Sequence, residues 1–411
     1  MKTCGLLGKK LGHSYSPIIH SMLASYEYSL FEKSESELED FLKNGAFSGL
    51  NVTIPYKKAV LPFVSEMSES VKRTGSANTI VRRKDGSLYA DNTDVYGFIE
   101  LVKHSKISVK GKKVLVLGSG GASAAVVSGL SSLLARPVVI SRTGENNYNN
   151  LHLNKDAEII VNTTPLGMYP DNGSSPIDLS FFNNLSGVID IIYNPALTSL
   201  LLQAESLNIP HIGGLYMLVA QAKKSAELFS GEKILDEKIS QICSKLSVSM
   251  KNIVLTGMPG CGKSTIASIL NRETRRPIFD SDSVIEKTYG TRPSEIITKR
   301  GENAFREIET SVLKELGKKS ASIIATGGGA VTRSENYPLL HQNGIIVYIK
   351  RDIKRLATFD RPLSQNNLEL LFRERAPLYE KFADVVIDND SSAEIAAKKI
   401  INYLKIQEEK V

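Results

Sequence analysis

The stretch Asn252-Ile-Val-Leu-Thr-Gly-Met-Pro-Gly-Cys-Gly-Lys-Ser264 decides the fold of the second half of the chain. A short, mostly apolar strand pattern leads into residues 257–264, which match GxxxxGK[ST], and a helical pattern follows. In such a loop the glycines free the backbone to wrap around phosphates, the lysine reaches the terminal phosphates and the hydroxyl binds magnesium. This stretch therefore predicts a P-loop nucleotide-binding domain.

A second glycine-rich turn lies in the first half of the chain. The strand pattern Lys113–Leu117 is followed by Gly118-Ser-Gly-Gly-Ala-Ser123 and by a helical run of small residues. Strand, glycine turn and helix in this order are typical of Rossmann-like dinucleotide-binding domains. The next strand pattern ends in Ser141-Arg142-Thr143, where an NAD enzyme usually carries an acidic residue. Because arginine suits a 2′-phosphate, this ending favours NADP.

The composition excludes several classes of protein. The chain has 411 residues, 42% hydrophobic and 23% charged, which is typical of two or three folded domains and not of disordered, collagen-like or disulfide-scaffold proteins. The apolar runs are too short for a membrane span or a signal peptide, so we expect a cytoplasmic protein with no membrane partner. Three widely spaced cysteines give no zinc-ligand pattern.

The distribution of charge indicates which kind of ligand the protein binds. The net charge is +7, and most of the excess lies after residue 250. A basic balance fits nucleic acid, a membrane surface or small anionic ligands. The sequence has no run of five or six Lys and Arg, and no basic helix face with interleaved aromatics. We therefore expect phosphate-bearing small molecules as partners, and no nucleic acid.

Six further motifs occur in order in the first half. They are Gly12-His-Ser-Tyr-Ser-Pro17, Asn51-Val-Thr-Ile-Pro-Tyr-Lys57, Ala77-Asn-Thr79, Asn92-Thr-Asp94-x-x-Gly97, Asn162-Thr-Thr-Pro-Leu-Gly-Met168 and Gly214-Leu-Tyr-Met-Leu-Val-Ala-Gln221. With these motifs, residues 4–230 resemble the shikimate dehydrogenases and their close quinate-using relatives. The resemblance implies NADP(H) as the cofactor, and 3-dehydroshikimate and shikimate as the small-molecule substrates.

By this resemblance Lys57 and Asp94 flank the reacting oxygen. Reduction of a ketone by hydride leaves an alkoxide that must receive a proton, which a lysine can give while an adjacent carboxylate fixes its position. The resemblance further implies that the substrate is bound by Ser14 and Ser16, at its carboxylate, and by Thr53, Asn78, Tyr193 and Gln221. The implied cofactor-binding residues are Gly118, Ser119, Gly120, Gly121, Ala122, Ser141, Arg142, Thr143, Ile191 and Gly214.

Five ordered motifs in the second half carry another resemblance. They are Phe279-Asp-Ser-Asp282, Phe305-Arg-Glu-Ile-Glu309, Gly327-Gly-Gly-Ala330, Arg361-Pro-Leu363 and Arg375-Ala-Pro-Leu-Tyr379. With the P-loop, residues 251–404 resemble shikimate kinase, a small member of the nucleoside-monophosphate-kinase-like fold. Only five residues separate Arg355 from Arg361, so we expect a shorter lid than in many relatives, with weaker ATP affinity or some idle ATP hydrolysis.

This second resemblance also assigns roles. Asp282 would receive the hydroxyl to be phosphorylated, and Arg361 would neutralise charge on the transferred phosphoryl group. The implied shikimate-binding residues are Arg306 and Arg375, which clamp the carboxylate, and Gly327, Gly328 and Gly329. The implied ATP-binding residues are Gly257, Gly260, Cys261, Gly262, Lys263, Ser264 and Thr265. Magnesium would be held by Ser264 and, through water, by Asp280.

The two resemblances predict an α/β chain of three domains. The first is a substrate-binding lobe over residues 1–104, completed by a helix at about 215–245. A Rossmann-like NADP-binding domain follows over 105–214, and a P-loop kinase domain over 250–411, with a boundary near residue 247. A short connector is expected between the last helix of the first half and the kinase domain.

The predicted function is reduction of 3-dehydroshikimate by NADPH, followed by phosphorylation of shikimate on its 3-hydroxyl by MgATP. Three alternatives stay open. The chain could be a non-catalytic shikimate or quinate sensor, which should have lost residues such as Lys57 and Lys263. It could be an NAD-dependent quinate/shikimate dehydrogenase fused to a kinase, which Arg142 disfavours. It could be a generic P-loop scaffold or nucleic-acid binder, which the paired arginines Arg306 and Arg375 disfavour.

Overall fold

The computed structural model describes residues 3–12, 14–356 and 368–409. The chain divides into two compact units. The first consists of Met1–Tyr193 and Thr198–Cys243, and the second of Asn194–Leu197 and Ser244–Val411. Within the described ranges, no helix has the length and apolar character that a membrane crossing requires.

The first unit begins with a six-stranded mixed sheet. Its strands are β1 (Thr3–Gly8), β2 (Glu27–Glu32), β3 (Gly49–Val52), β4 (Glu66–Met67), β5 (Thr79–Arg82) and β6 (Leu88–Asp91), in the order β2-β1-β3-β5-β6-β4. The pairs β3/β5 and β5/β6 are antiparallel, and the other neighbours are parallel. The helices in this part of the chain are α1 (Ser16–Leu23), α2 (Leu38–Asn44), α3 (Glu69–Thr74) and α4 (Thr93–Ser105).

The second sheet of this unit is entirely parallel. Its strands are β7 (Lys113–Leu117), β8 (Arg136–Ile140), β9 (Ile159–Asn162), β10 (Gly187–Asp190) and β11 (His211–Ile212), in the order β11-β10-β9-β7-β8. The helices that follow its strands are α5 (Gly121–Ser132), α6 (Ser199–Ser206), α7 (Leu215–Ser230) and α8 (Glu237–Met250). The predicted strand at 113–117 is confirmed as β7, and Val114 to Leu117 are completely buried, as expected in a parallel sheet covered on both faces.

The segment around residues 215–245 differs from the single helix expected. It holds two helices, because α7 ends at Gly231, whose φ of 81° is the left-handed conformation that closes a helix. The next helix, α8, runs to Met250 and is followed almost at once by a strand at Asn252. The division between the units therefore falls inside α8, after Cys243, and not in a connector near residue 247.

The second unit is built on a five-stranded parallel sheet. Its strands are β12 (Asn252–Thr256), β13 (Ile278–Asp280), β14 (Ile323–Ala325), β15 (Gly344–Lys350) and β16 (Val385–Asp388), in the order β13-β14-β12-β15-β16. Its helices, after α8, are α9 (Lys263–Thr274), α10 (Ser281–Tyr289), α11 (Pro293–Arg300), α12 (Glu302–Gly317), α13 (Asn336–His341), α14 (Leu368–Phe382) and α15 (Ala393–Glu409). The P-loop follows the central strand β12, so the α/β class predicted from the sequence is confirmed.

A buried lysine ties α7 to the segment that follows it. Lys223 has only 3% of its side chain exposed, and its Nζ lies 2.9 Å from Glu227 Oε1 and 2.7 Å from Asp236 Oδ1. Burial acts to lower the pKa of Lys223, but the hydrogen bonds to Asp236 and Glu227 outweigh it and raise the pKa. The lysine is therefore charged, and its removal leaves the carboxylate of Glu227 largely buried without its main partner.

We expect Lys223→Met to destabilise α7 by about 3 kcal/mol, because breaking a buried ion pair leaves an uncompensated charge. Hydrogen exchange of α7 peptides in the full chain measures the loss. Lys224→Met is the matched control, since Lys224 is 38% exposed and 3.4 Å from the same Glu227, and it should cost less than about 1 kcal/mol. Equal effects of the two substitutions would contradict this account.

Candidate active sites

A lysine and an aspartate form a close pair in the first unit. Lys57 lies on the turn after β3, and Asp94 lies in the first turn of α4, which Asn92 caps by accepting a hydrogen bond from the Asp94 backbone N–H. The Lys57 Nζ is 2.6 Å from Asp94 Oδ2, and the two side chains are 22% and 13% exposed. The other oxygen of Asp94 accepts a hydrogen bond of 2.9 Å from Asn78 Nδ2. The ammonium group is thus held against Asp94, and the lysine side chain stays partly exposed.

Asn78 orients the groups around this pair. Its Oδ1 accepts a hydrogen bond of 2.7 Å from the Thr93 backbone N–H, which leaves Nδ2 facing Asp94 and, at 3.4 Å, Gln221 Oε1. Gln221 comes from α7, and its Nε2 donates to the carbonyl oxygen of Leu218. The structure therefore brings together Lys57, Asp94, Asn78 and Gln221, which are four of the residues expected at the dehydrogenase site.

A buried line of hydrogen bonds leads from the serine turn towards this group. Tyr28, which lies close enough to Ser16 for a hydrogen bond, donates from its hydroxyl to Asn51 Oδ1 at 2.8 Å, and Asn51 Nδ2 donates to Ser225 Oγ at 2.8 Å. The hydroxyl of Ser225 is in turn 3.1 Å from that of Thr93. Tyr28, Asn51 and Ser225 were not predicted as site residues, although Asn51 opens one of the quoted motifs.

The remaining predicted substrate residues lie at three places in the first unit: the start of α1, the end of β3 and the segment after β10. Ser14 and Ser16 lie at the start of α1, where the Ser16 backbone N–H donates to Ser14 Oγ at 3.2 Å. Thr53 continues the end of β3, its backbone N–H bonded to the carbonyl oxygen of Leu7. Tyr193 packs edge-on against Tyr15 with ring centres 6.1 Å apart, and burial raises its pKa, so the phenol stays protonated. Such a set of hydroxyls and amides suits a small polyhydroxylated ligand.

The glycine turn after β7 faces open space. Ser119 and Gly120 line a cavity of about 420 Å³ with Arg73, Ser123 and the outer face of α5. A Cβ atom at Gly120 would meet no neighbour within 4 Å. The turn leads into the N-terminus of α5, where free backbone N–H groups favour a phosphate. These observations fit the diphosphate of a dinucleotide.

The other predicted cofactor residues lie at the ends of neighbouring strands. Ser141, Arg142 and Thr143 follow β8 and are not among the residues that line the cavity of Ser119 and Gly120. Arg142 lies near Tyr148, where its charge opposes the rise in the tyrosine pKa that burial causes. Gly214 stands directly before α7, and any larger residue there would clash with the carbonyl oxygen of Ile191. Gly121 and Ala122 form the first turn of α5.

The second unit contains a larger cavity of about 850 Å³ at the P-loop. The predicted residues that line it are Gly260, Gly262, Lys263, Ser264, Thr265, Asp280, Asp282, Arg306, Gly327, Gly328, Gly329 and Arg375. The Lys263 Nζ donates to the carbonyl oxygens of Gly257 and Met258 at 2.8 and 3.1 Å, so it lies over the loop. Gly257 and Cys261 do not line the cavity, and the Cys261 side chain is completely buried beneath the loop.

Two carboxylates stand at the start of α10. Asp280 Oδ1 caps this helix by accepting hydrogen bonds from the backbone N–H groups of Asp282 and Ser283, at 3.1 and 3.2 Å. Asp280 and the hydroxyl of Ser264 are oxygen donors that line the same cavity, and magnesium prefers oxygen ligands. The donor set therefore fits a magnesium ion that also contacts nucleotide phosphates.

An ion pair that the sequence did not predict orders the arginine side of the cavity. Arg306 Nη1 is 2.7 Å from Glu309 Oε2, and its Nη2 is 2.8 Å from Glu302 Oε1. Glu309 is completely buried, and burial raises its pKa while Arg306 opposes the rise. Among the described atoms, Arg306 Nε and Glu309 Oε1 have no hydrogen-bond partner. The guanidinium of Arg306 is therefore held between two carboxylates at the wall of the cavity.

The glycine run faces these arginines. A Cβ atom at Gly329 would overlap the guanidinium of Arg306, so a larger residue there would require this arginine to move. The carbonyl oxygen of Gly328 accepts hydrogen bonds from Arg375 Nη1, at 3.2 Å, and from the Tyr379 hydroxyl. The predicted charge-neutralising residue Arg361 and the expected short lid lie outside the described residues.

Comparison with known proteins shows which families this sequence resembles. The family model "Shikimate dehydrogenase substrate binding domain" matches residues 6–80, and the model "Shikimate kinase" matches residues 259–405. A shikimate dehydrogenase (NADP(+)) of Clostridium beijerinckii is 36% identical over 262 residues, which are 59% of this chain and 96% of that protein. One from Caldicellulosiruptor bescii is 40% identical over 253 residues, covering 54% of this chain and 87% of that protein.

Two solved structures are similar in fold. A chorismate mutase/shikimate 5-dehydrogenase fusion protein from Clostridium acetobutylicum has 35% identity and a TM-score of 0.57, covering 60% of this chain and 97% of that one. A Thermus thermophilus shikimate 5-dehydrogenase, solved in complex with NADP(H) and shikimate, has 28% identity and a TM-score of 0.55, covering 60% and 99%. Both resemblances inferred from the motifs are thereby confirmed. The chain belongs to the shikimate dehydrogenase family and carries a shikimate kinase domain in its second unit.

Proposed function

We propose that this bifunctional shikimate pathway enzyme reduces 3-dehydroshikimate to shikimate with NADPH and then phosphorylates the 3-hydroxyl of shikimate with MgATP. The observation that carries the proposal is that one chain holds a fixed lysine–aspartate pair at 2.6 Å and a P-loop cavity with a carboxylate at the start of α10. The product of the first reaction is the substrate of the second, so each assignment supports the other.

In the reduction, Lys57 is the proton donor. NADPH, when bound, supplies the hydride that adds to the carbonyl carbon. The carbonyl oxygen gains negative charge as the hydride arrives, and the Lys57 ammonium, held by Asp94, delivers a proton to it. Asn78 keeps Asp94 in place through its second oxygen, so the lysine does not need to reorganise as the charge develops. Lys57 then takes a proton back from solvent.

In the phosphorylation, Asp282 accepts the proton of the 3-hydroxyl. ATP, when bound with magnesium at Ser264 and Asp280, supplies the phosphoryl group. Lys263, now over the loop carbonyls, can turn towards the terminal phosphates and stabilise their charge. Arg306 and Arg375 bind the shikimate carboxylate, for which planar guanidinium groups are well suited. Arg361 keeps its predicted role in neutralising the transferred group.

A comparison of cofactors and substrates tests the dehydrogenase part of this proposal. Initial rates of the full chain are measured with NADPH or NADH, and with 3-dehydroshikimate or 3-dehydroquinate. We expect the highest kcat/KM with NADPH and 3-dehydroshikimate, because Arg142 suits a 2′-phosphate. A higher kcat/KM with NADH and 3-dehydroquinate would favour the quinate-using alternative. Binding of all four without turnover would favour a sensor.

Glu309→Gln should raise the KM for shikimate in the kinase reaction about tenfold. The substitution removes the buried charge that holds Arg306, so the guanidinium loses its orientation towards the substrate carboxylate. The KM for ATP should stay within about twofold. Glu302→Gln is the matched control, because Glu302 contacts the same arginine but is half exposed, and we expect little change. An unchanged KM for shikimate in Glu309→Gln would contradict this role.

A further inference from the structure

A buried carboxylate at the end of β10 has no role in the mechanism above. Asp190 is completely buried, and three residues donate hydrogen bonds to it. The Ile192 backbone N–H donates to Oδ1 at 3.0 Å, the Thr198 hydroxyl donates to Oδ2 at 2.7 Å, and Asn162 Nδ2 lies 3.1 Å from both oxygens. Burial raises the pKa of Asp190 to about 6, and these hydrogen bonds act against a further rise.

The bond to Asn162 fixes the loop after β9. Because Asn162 Nδ2 faces Asp190, its Oδ1 must face the other way, where it accepts hydrogen bonds from the Thr164 backbone N–H at 3.0 Å and the Thr164 hydroxyl at 2.7 Å. The neighbouring Thr163 hydroxyl donates to the carbonyl oxygen of Leu117 at 2.7 Å, directly before the glycine turn. Asp190 therefore orients a loop that is seated against the turn expected to bind the diphosphate.

The other two bonds fix the segment after β10. Ile192, whose N–H bonds Asp190, accepts a hydrogen bond of 2.8 Å from the Gly214 backbone N–H through its own carbonyl oxygen. Ile191 is the residue between Asp190 and Ile192, and its carbonyl oxygen lies so close to Gly214 that a larger residue there would clash with it. Thr198, the third donor, also caps α6. One carboxylate thus joins the backbone after β9, the backbone after β10 and the residue before α7.

The strand order shows which end of a dinucleotide meets these segments. In the sequence β11-β10-β9-β7-β8, the glycine turn follows β7 and Arg142 follows β8. Ligands of parallel α/β sheets bind at the carboxyl ends of the strands. A dinucleotide with its 2′-phosphate beyond β8 and its diphosphate beyond β7 therefore extends its nicotinamide over the ends of β9 and β10. This is the edge that Asp190 organises.

We propose that Asp190 is a positioning residue that holds the nicotinamide end of the cofactor site through Asn162, Ile192 and Thr198. The inference rests on the proposed function, because it assumes that NADPH binds along this edge. A carboxylate is required because all three neighbours donate hydrogen bonds to it. An asparagine carries an N–H₂ group in place of one carboxylate oxygen, and this group would face at least one of the donors without a hydrogen bond. Asp190 does not contact the reacting atoms in this account.

The test is steady-state kinetics of the full chain carrying Asp190→Asn. We expect the KM for NADPH to rise about tenfold, equivalent to about 1.4 kcal/mol, with the KM for 3-dehydroshikimate within about twofold. A merely structural role would reduce the amount of active enzyme, and hence the apparent kcat, without changing either KM. The kinase rate of the same chain serves as the measure of enzyme concentration. Asp178→Asn is the matched control, since the exposed Asp178 caps a short turn in the same unit.

A double variant tests the hydrogen bond itself. Asn162→Asp combined with Asp190→Asn exchanges donor and acceptor and should return the KM for NADPH to within about threefold of the wild-type value. If Asp190→Asn does not yield folded protein, Thr198→Val removes a single donor and should raise the KM for NADPH about threefold. An unchanged KM for NADPH in the folded variants, with wild-type activity present, would overturn this inference alone. Wild type without NADPH-dependent reduction would overturn the proposed function and this inference with it.

Discussion

Replacing Lys57 by Met should lower the kcat for 3-dehydroshikimate reduction by about 10²- to 10⁴-fold, the usual contribution of a positioned proton donor. The substitution keeps much of the side-chain volume but removes the only group in the pair that can protonate the developing alkoxide. The KM for NADPH should change little, because Lys57 pairs with Asp94 and does not line the cavity beside the glycine turn. Initial rates of NADPH oxidation measure the effect.

Lys58→Met is the matched control for this prediction. Lys58 is the next residue on the same turn and is exposed, so its loss should leave the kcat within about twofold. The kinase activity of the Lys57→Met chain should equal that of wild type. A Lys57→Met enzyme with a kcat near the wild-type value would show that another group delivers the proton.

The second large effect is expected for Lys263→Met, which should lower the kcat for shikimate phosphorylation by about 10²- to 10³-fold. Without the ammonium group, the charge on the terminal phosphates loses a fixed partner in the transition state. Lys287→Met, at an exposed position on α10, is the control and should leave the rate unchanged. Formation of shikimate 3-phosphate from shikimate and ATP measures both. A phosphorylation rate of Lys263→Met close to wild type would exclude the P-loop as the site of transfer.

The parts of the fold that the sequence predicted well are those set by local signals. Both glycine turns, with the strand before and the helix after each, depend on consecutive residues, and both occur as expected at β7/α5 and β12/α9. The break between α7 and α8 was missed, although Gly231 marks it. A glycine within a polar helical pattern is tolerated often enough that pattern alone does not distinguish a helix end from an interior position.

Several of the site residues that were missed depend on partners that no local sequence pattern reveals. Asn51 and Ser225 are 174 positions apart, and only the packing of α7 brings their side chains within 2.8 Å. Asp190 binds donors from β9, from the segment after β10 and from the start of α6, none of which carries a recognisable spacing. Glu309 did lie within a quoted motif, three residues after Arg306 on α12. Its burial beneath that arginine was the feature that only the structure supplied.

The most direct test of the account is a coupled assay of the full chain with 3-dehydroshikimate, NADPH and MgATP. NADPH absorbance reports the first step, and mass spectrometry of shikimate 3-phosphate reports the second. We predict that wild type forms the phosphate, that Lys263→Met stops at shikimate, and that Lys57→Met forms the phosphate only when shikimate is supplied. Wild-type protein that binds these ligands without converting them, or phosphate formed from 3-dehydroshikimate by Lys57→Met at the wild-type rate, would contradict the account.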